Sequence, residues 1–234
     1  MGLFSNSNYE KEGPGVYMDD LPKSGIKLFF YVLLNRFWKL VGLNILFLLF
    51  SLPIITLPAA IVAQSKVVCE LMELSYVQLL GDFWRAFKES FLESLGYGAI
   101  TAMLILSGYA ANIYYLHIIE GWFAVVCMGA VVAVLFVWSM MLLYIPIMIG
   151  TVNLSFKHII SNSFRLVFIK FFRNLLSWII VAALFATAGY TYPASLILIF
   201  FLLPALMGLL ICFNSWPVIK QYVLLQALDD TGNE

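Results

Sequence analysis

Apolar residues fall into long runs along this chain, and short polar stretches separate them. The first long run covers residues 40–65, 26 residues without a charge. One bilayer crossing needs about 20 apolar residues and a helical hairpin about twice that number. Pro53 and Pro58 lie within the run, and each removes a backbone donor and disfavours helical geometry at the residue before it. We therefore expect a break over residues 51–58 between two membrane helices.

Six membrane helices are predicted in all, the first two forming this proline-broken hairpin. They cover residues 26–50, 59–80, 95–116, 122–148, 175–188 and 193–213. A weakly amphipathic segment follows at 214–228. The predicted fold is an all-α polytopic membrane helix bundle, with a polar cytoplasmic arm at 1–25, one membrane domain at 26–228 and a polar tail at 229–234.

Two amphipathic segments separate pairs of predicted membrane helices. Phenylalanines recur at every fourth position in both, which keeps them on one helix face: Phe83, Phe87 and Phe91 in the first, and Phe164, Phe168 and Phe172 in the second. The offset of 81 residues suggests a degenerate internal repeat, 82–148 and 163–213, of the kind found in transport proteins. The alternative is that two interfacial helices converged on one pattern.

Composition supports a membrane protein, because 63% of the residues are hydrophobic and only 11% are charged, whereas a soluble domain has about 25% charged residues. The 13 basic and 13 acidic residues balance, so the lipid bilayer is the expected partner and nucleic acid is not. The N-terminal residues lack a basic region followed by an apolar core, so no cleaved signal peptide is expected. Cys69, Cys127 and Cys212 lie far apart in apolar segments, and we expect them to behave as small buried hydrophobes.

Lysine and arginine indicate the orientation, since they collect on the cytoplasmic side. The connection 149–174 contains only basic charges, and the connections 117–121 and 189–192 contain no basic residue. The segment around Arg85 and the basic N-terminal arm should lie on the same side as 149–174. This requires an even number of crossings over residues 26–80, so both termini are predicted to be cytoplasmic.

A hairpin that turns near residue 54 brings together residues whose numbers sum to about 109. The predicted ion pairs are therefore Arg36 with Glu73 and Lys39 with Glu70, because ionisable groups in membranes tend to pair. The alternative is that all four side chains reach separately to the interface.

The helix break carries a further candidate site, because broken membrane helices are where transporters build binding sites. Its members are Asn44, Ser51, Pro53, Thr56, Pro58 and Lys66. Polar residues in membrane helices also serve as contacts between helices, and packing is the favoured interpretation.

Catalytic chemistry is not expected. The sequence contains no GxSxG, HExxH or phosphate-binding loop motif, and the two histidines fall on opposite sides of the predicted membrane. We therefore expect no enzyme activity, no metal and no cofactor.

Three blocks in order, GPGVYMDDLPKSG, RFWKLVGLNILFLLFSLPIITLPAA and DFWRAFKESF, resemble the YesL-like family of bacterial multi-pass membrane proteins. The family commonly has a glycine where this chain has Leu57. The resemblance implies a bacterial inner-membrane protein of uncharacterised activity, often encoded beside sugar importers of the ATP-binding-cassette type. We expect an accessory or regulatory partner of such an importer; the alternative is a small permease or a channel-forming homo-oligomer.

The docking candidates for this partner are on the two amphipathic segments: Phe83, Arg85, Phe87, Lys88, Phe164, Arg165, Phe168 and Lys170.

Overall fold

The computed structural model describes residues 25–73, 76–117, 121–193 and 195–224. Within these residues the chain is helical and has no β-strand. The helices are α1 (Gly25–Asn35), α2 (Phe37–Ser51), α3 (Leu57–Met72), α4 (Leu79–Glu89), α5 (Phe91–His117), α6 (Trp122–Met141), α7 (Ile145–Thr151), α8 (Phe156–Ile169), α9 (Phe171–Tyr190), α10 (Ser195–Phe201) and α11 (Leu203–Ile219). A 3-10 helix at Ile54–Thr56 precedes α3, and a π-helical turn at Lys220–Leu224 follows α11. Nearly all of the predicted arm, and the whole predicted tail, lie outside the described residues.

The described helices are long and apolar enough for a polytopic membrane protein. Five spans meet the length and hydropathy needed to cross a bilayer: Ile54–Met72, Phe91–Tyr115, Trp122–Thr151, Phe171–Tyr190 and Leu203–Leu224. A sixth is formed if α1 and α2, which meet at a bend of 75°, count as one broken span. The predicted all-α membrane helix bundle is thus confirmed.

Helix α3 is the centre of the bundle and packs against α2, α4, α5, α7 and α11. Small side chains permit this crowding, since Ala59, Ala60 and Ala63 are fully buried. On α7, a Cβ placed on Gly150 would lie 3.1 Å from the Lys66 Cβ and 3.3 Å from a backbone carbonyl of α3. Glycine and alanine at helix contacts allow membrane helices to approach closely, and α3 is enclosed by protein for this reason.

A one-residue kink separates α1 from α2, α4 from α5, and α8 from α9. The kink residues Arg36, Ser90 and Lys170 have nearly the same backbone geometry, with φ/ψ of −113°/21°, −96°/6° and −119°/37°, in the sparsely populated bridge region. Each is followed by a phenylalanine. The same positions relative to each kink are also buried. The residues seven positions before the kinks are Phe29, Phe83 and Ser163, and those four positions before are Val32, Ala86 and Leu166. The residues four positions after the kinks are Leu40, Ser94 and Asn174.

These kinks give three segments of the described chain the same local arrangement, whereas the repeat predicted from the sequence has two units. The second and third kinks are 80 residues apart, not 81, and the first lies 54 residues before the second. In the predicted register Phe83 matches Phe164, but Phe83 is fully buried whereas Phe164 is 49% exposed. The register is corrected because burial, and not the shared phenylalanine spacing, defines the equivalent faces. Each unit contains a short helix, a kink and a pair of membrane helices, so α1, α4 and α8 lie on one side, called the inner side below.

Several predicted boundaries are corrected. The first predicted helix is divided at Arg36, and the second ends at Met72 instead of continuing to Leu80. The runs 122–148 and 193–213 are each two helices, and Pro58, Pro146 and Pro204 all lie in the first turn of a new helix. A first-turn proline lacks only an N–H that would have no partner within the helix. At the C-terminal end α11 continues to Ile219 in place of a separate amphipathic segment.

The contact of α5 with the proline break generates a stability prediction. A Cβ on Gly98 would lie 3.0 Å from the Pro58 Cβ and closer still to Cγ of the same rigid ring, whereas a Cβ on Gly129 of α6 would meet nothing within 4 Å. Overpacking costs about 1–3 kcal/mol, and alanine is about 1 kcal/mol better than glycine in an unhindered helix. We expect Gly98→Ala to lower the thermal unfolding midpoint in detergent and Gly129→Ala to keep or raise it. Equal midpoints would contradict the close contact.

The orientation also has a direct test. With the inner side in the cytoplasm, alkaline phosphatase fused after His117 should be active in a bacterial host, and green fluorescent protein fused to the C-terminus should fluoresce. The opposite pair of results would reverse the assignment of the inner side.

Candidate functional site

Two adjoining polar cavities lie at the inner end of α3. Their volumes are about 400 Å³ and about 410 Å³, and both are lined by Lys66, Glu89, Gly150 and Asn153. The first extends towards Glu93 and the loop before α8, and the second towards Glu70, Glu73 and Trp216. We call the pair the inner cavity. Within the described residues no group of three or more His, Cys, Asp or Glu side chains is placed to hold a metal ion.

Lys66 stands between the two halves of the inner cavity. Its Nζ lies 3.5 Å from Glu89 Oε2, and its side chain is 22% exposed while that of Glu89 is 59% exposed. A lysine on an enclosed membrane helix needs an anionic partner or water, because an unpaired charge there is costly. Glu89, the last residue of α4 before the kink at Ser90, supplies this partner at the inner half of α3.

Glu73 joins the inner ends of α3 and α11. Its Oε1 accepts a hydrogen bond from Trp216 Nε1 at 3.1 Å and an ion-pair contact from Lys220. The Lys220 ammonium also lies 5.0 Å from the centre of the Trp216 ring. The charge at the end of α3 therefore meets its cation on the last membrane helix, far away in sequence.

The two predicted ion pairs of the first hairpin are not among the ion pairs formed by the described residues. Glu73 contacts Lys220 in place of Arg36. Lys39 donates to the Val77 carbonyl at 3.3 Å and lies 5.7 Å from the Tyr76 ring centre, so it meets the α3–α4 connection and not Glu70. The sum rule assumed one straight helix facing α3, whereas α1 and α2 meet at a bend of 75° next to Arg36.

The predicted site at the helix break divides into separate places. Thr56 Oγ1 donates to the carbonyls of Phe50 at 2.6 Å and Pro53 at 2.7 Å, and Ser51 donates to Leu48 at 3.0 Å. These hydroxyls complete the backbone hydrogen bonding of the turn. The Pro58 carbonyl in turn accepts the Tyr97 hydroxyl at 3.0 Å. Lys66 lies at the other end of α3, in the inner cavity.

Asn44 has a structural position of its own. It is fully buried, and its Nδ2 donates to the carbonyls of Ile199 at 3.1 Å and Phe200 at 2.6 Å, while its Oδ1 accepts the Ala205 amide at 3.0 Å. These backbone groups surround the break between α10 and α11. One amide side chain on α2 thus satisfies both ends of a broken helix more than 150 residues later in the chain.

The docking candidates face in different directions. Phe83 and Phe87 are buried and form an aromatic cluster with Phe50, so they are corrected from docking residues to core residues.

Arg85 and Lys88 are exposed on α4, with Arg85 paired to Asp82 at 2.9 Å and Lys88 above the Trp84 ring at 4.6 Å. On α8, Arg165 is exposed and the exposed rings of Phe164 and Phe168 pack edge to face, 5.0 Å between centres. Lys170, at the kink, lies 5.4 Å from the Tyr222 ring centre.

Two buried features were missed by the sequence analysis. The first is a polar network in which Asn174 Oδ1 accepts the Tyr144 hydroxyl at 2.5 Å and Asn174 Nδ2 donates to two carbonyls at the end of α8. Arg173 Nε extends it by donating to Asn214 at 2.7 Å. The adjacent Arg173–Asn174 pair at the start of a membrane helix is the only sequence signal that could have pointed to this network.

The second missed feature is a disulfide between Cys69 of α3 and Cys212 of α11, whose Cα atoms are 6.1 Å apart. The expectation that both cysteines act as isolated hydrophobes is corrected, while Cys127 keeps a free thiol. Cysteine spacing gave no signal, because the pairing depends on two helices packing side by side.

The fold and the inner cavity define a multi-pass membrane helix bundle with a polar site on one side. The family described as "Protein of unknown function, DUF624" matches residues 40–110, which extend from α2 to α5 and include α3 and the kink at Ser90. No curated protein and no solved structure matches the chain.

The contacts of Asn44 lead to a prediction on stability. Asn44→Ala removes three hydrogen bonds and leaves buried backbone groups without partners, at a cost of about 2–4 kcal/mol. Asn35→Ala is the matched control, because Asn35 makes one exposed bond to the Tyr31 carbonyl. Thermal unfolding in detergent should show a large loss for Asn44→Ala and little change for Asn35→Ala; similar midpoints for both variants would contradict the role of Asn44.

Proposed function

We propose that this chain is a YesL-like protein of the bacterial inner membrane and acts as an accessory or regulatory partner of a sugar importer of the ATP-binding-cassette type. The match to DUF624 covers part of the region in which the resemblance to that family is strongest. The importer association comes from that resemblance, and the inner face supplies the surface on which it would operate.

The observation that carries the proposal is an exposed stripe on α4 and the residues before it. Tyr76, Leu80, Trp84 and Lys88 follow each other at four-residue intervals, and Leu80 and Trp84 are 64% and 41% exposed. Aromatic residues are enriched in protein interfaces, and the adjoining face of α4 is anchored in the core by Phe83 and Phe87, with the Trp84 ring stacked on that of Phe87 at 5.8 Å between centres. The stripe is therefore a rigidly held surface on the cytoplasmic side of the proposed topology, where an importer carries its ATPase.

The polar groups inside the membrane favour an accessory role over transport. Asn44, Ser51 and Thr56 form their hydrogen bonds with backbone carbonyls or amides of the bundle itself. A transport site would instead need polar groups that turn towards a solute.

One observation favours the alternative, a small permease. The inner cavity contains the Lys66–Glu89 pair at the level where α3 is enclosed, and membrane transporters use such ionisable residues in their pathways. Transport of the sugar by the purified protein alone in proteoliposomes, lost in Lys66→Met, would favour the permease.

The test of the accessory role is purification of the tagged protein from cells grown on importer-inducing sugars, with importer subunits identified by mass spectrometry. The variant Trp84→Ala/Lys88→Glu alters the stripe. Its matched control is Phe30→Ala/Lys27→Glu, which changes an exposed aromatic residue and an exposed lysine on α1. We expect importer subunits with the wild type and the control, and a loss of roughly tenfold or more with the stripe variant, since central interface residues can contribute 2 kcal/mol or more.

Recovery of the wild-type protein without any importer subunit would contradict the proposal. So would unchanged sugar uptake in a strain that lacks the protein. An equal loss of importer subunits in both variants would show that the stripe is not the contact surface for the importer.

A further inference from the structure

An apolar groove follows the seam where α5, α6 and α8 meet. Its walls include Leu104 of α5, Val134, Trp138 and Met141 of α6, and Phe164 and Phe168 of α8, and its volume is about 390 Å³. The one polar atom of the indole is occupied, because Trp138 Nε1 donates to Thr101 at 3.1 Å. The groove therefore presents an apolar surface to any molecule that enters it.

The depth of the groove matches one leaflet of a bilayer. Phe164 and Phe168 lie on the inner-side helix α8, whereas Leu104 and Val134 lie near the middle of α5 (Phe91–His117) and α6 (Trp122–Met141). From Met141 to Val134 the rise along α6 is about 10 Å, and half of the hydrocarbon core is about 15 Å. A groove of this extent accommodates an extended acyl chain from the inner interface to the bilayer centre.

Basic side chains flank the inner end of the groove. Lys157 and Arg165 are exposed on α8, and Arg165 is adjacent in sequence to Phe164. Between Glu120 and Asp229 the sequence has no acidic residue, so α8 itself carries only basic charges, while Glu89 and Glu93 line the inner cavity, which reaches Leu154 and Ser155 before α8. Arg173 is bonded to Asn214 and Lys170 lies over Tyr222, whereas Lys157 and Arg165 form no ion pair with another described residue.

We propose that this groove binds one anionic phospholipid of the inner leaflet. An acyl chain occupies the space between α5, α6 and α8, and the headgroup phosphate lies against Arg165 and Lys157. The apolar lining recognises the chain, and the uncompensated positive charge selects an anionic headgroup over a zwitterionic one. Arginine suits this role because its guanidinium can bind a phosphate through two parallel hydrogen bonds.

The site is distinct from the inner cavity and from the stripe on α4. The inner cavity is lined by Glu70, Glu73, Glu89 and Glu93, which would repel an anionic headgroup. The inner cavity reaches the loop before α8, whereas the groove lies along the face of α8 that carries Phe164 and Phe168, and its lining contains no acidic residue.

The test is native mass spectrometry of the full-length protein in detergent, titrated separately with dioleoyl phosphatidylglycerol and dioleoyl phosphatidylcholine. Each basic group near an anionic lipid contributes about 1 kcal/mol, which corresponds to roughly fivefold in affinity. We expect one phosphatidylglycerol bound at least roughly fivefold more tightly than phosphatidylcholine, and Arg165→Gln to remove most of this preference. Lys27→Gln, which removes an exposed charge from α1, should leave it unchanged.

A second pair of variants tests the groove itself. Ala133 lines the groove, and Ala133→Phe should fill it and abolish binding of both lipids. Val132→Phe is the control, because Val132 is exposed on the same helix one residue away and does not line the groove. Brominated phosphatidylglycerol should also quench Trp138, measured as the difference between the wild type and Trp138→Phe.

Equal affinities for the two lipids would overturn the proposal, as would an equal effect of Lys27→Gln and Arg165→Gln. Retained binding in Ala133→Phe would also overturn it. A stable dimer without bound lipid would show that a second copy covers the groove instead.

Discussion

The packing of α3 inside the bundle is the interaction on which the rest of the structure depends. This helix packs against α1, α2, α4, α5, α7 and α11, yet it carries Lys66 and Glu70 and ends at Glu73. Because α3 is enclosed, its N-terminal half needs small residues such as Ala59, Ala60 and Ala63, which let other helices approach closely. The charged side chains at its inner, C-terminal end need polar partners. The partners come from different units of the chain: Glu89 from the end of α4, and Lys220 and Trp216 from the end of α11. The polar side chains of α3 thereby determine where α4 and α11 end against it.

Three repetitions of helix, kink and membrane pair divide the inner face into sectors of different character. The α4 sector contains the mixed charges around the inner cavity, and the α8 sector contains only basic residues beside an apolar groove. The backbone geometry at the three kinks is similar, but the side chains at equivalent positions differ, since the buried residue four positions after the kink is leucine, serine and then asparagine. The three segments therefore present different surfaces, and the proposed protein partner and the proposed anionic lipid are assigned to two of them.

The fold could be predicted from the sequence because bilayer thickness limits the length of apolar runs, and the class of protein and most of the membrane helices follow from this. The positions of kinks could not, since Arg36, Ser90 and Lys170 share no residue type. The ion pairs of the structure were missed because the pairing rule treated α1 and α2 as one straight helix facing α3, whereas the two helices meet at a bend of 75° and Glu73 contacts Lys220 at the end of α11. The contacts of Asn44, and the pairing of Cys69 with Cys212, depend on how distant helices pack, which hydropathy does not record. For the docking surfaces, the spacing of Phe83 and Phe87 identified an amphipathic helix correctly but could not tell which face the bundle would cover.

The long-range contact of Asn44 also bears on how the protein is made. Membrane helices are inserted in the order of synthesis, so α2 enters the bilayer well before the α10–α11 break that holds its amide. Until then the Asn44 amide contacts lipid or other helices instead of the backbone of Ile199, Phe200 and Ala205. The backbone groups at the α10–α11 break in turn lack this hydrogen-bond partner unless α2 is already in position. Completion of the bundle therefore follows translation of the last membrane segment. The hydrogen bonds between Asn44 and the α10–α11 break form only at that step. A chain that stops before residue 205 would leave a polar group stranded in the membrane, the kind of defect by which membrane quality control can recognise an unfinished protein.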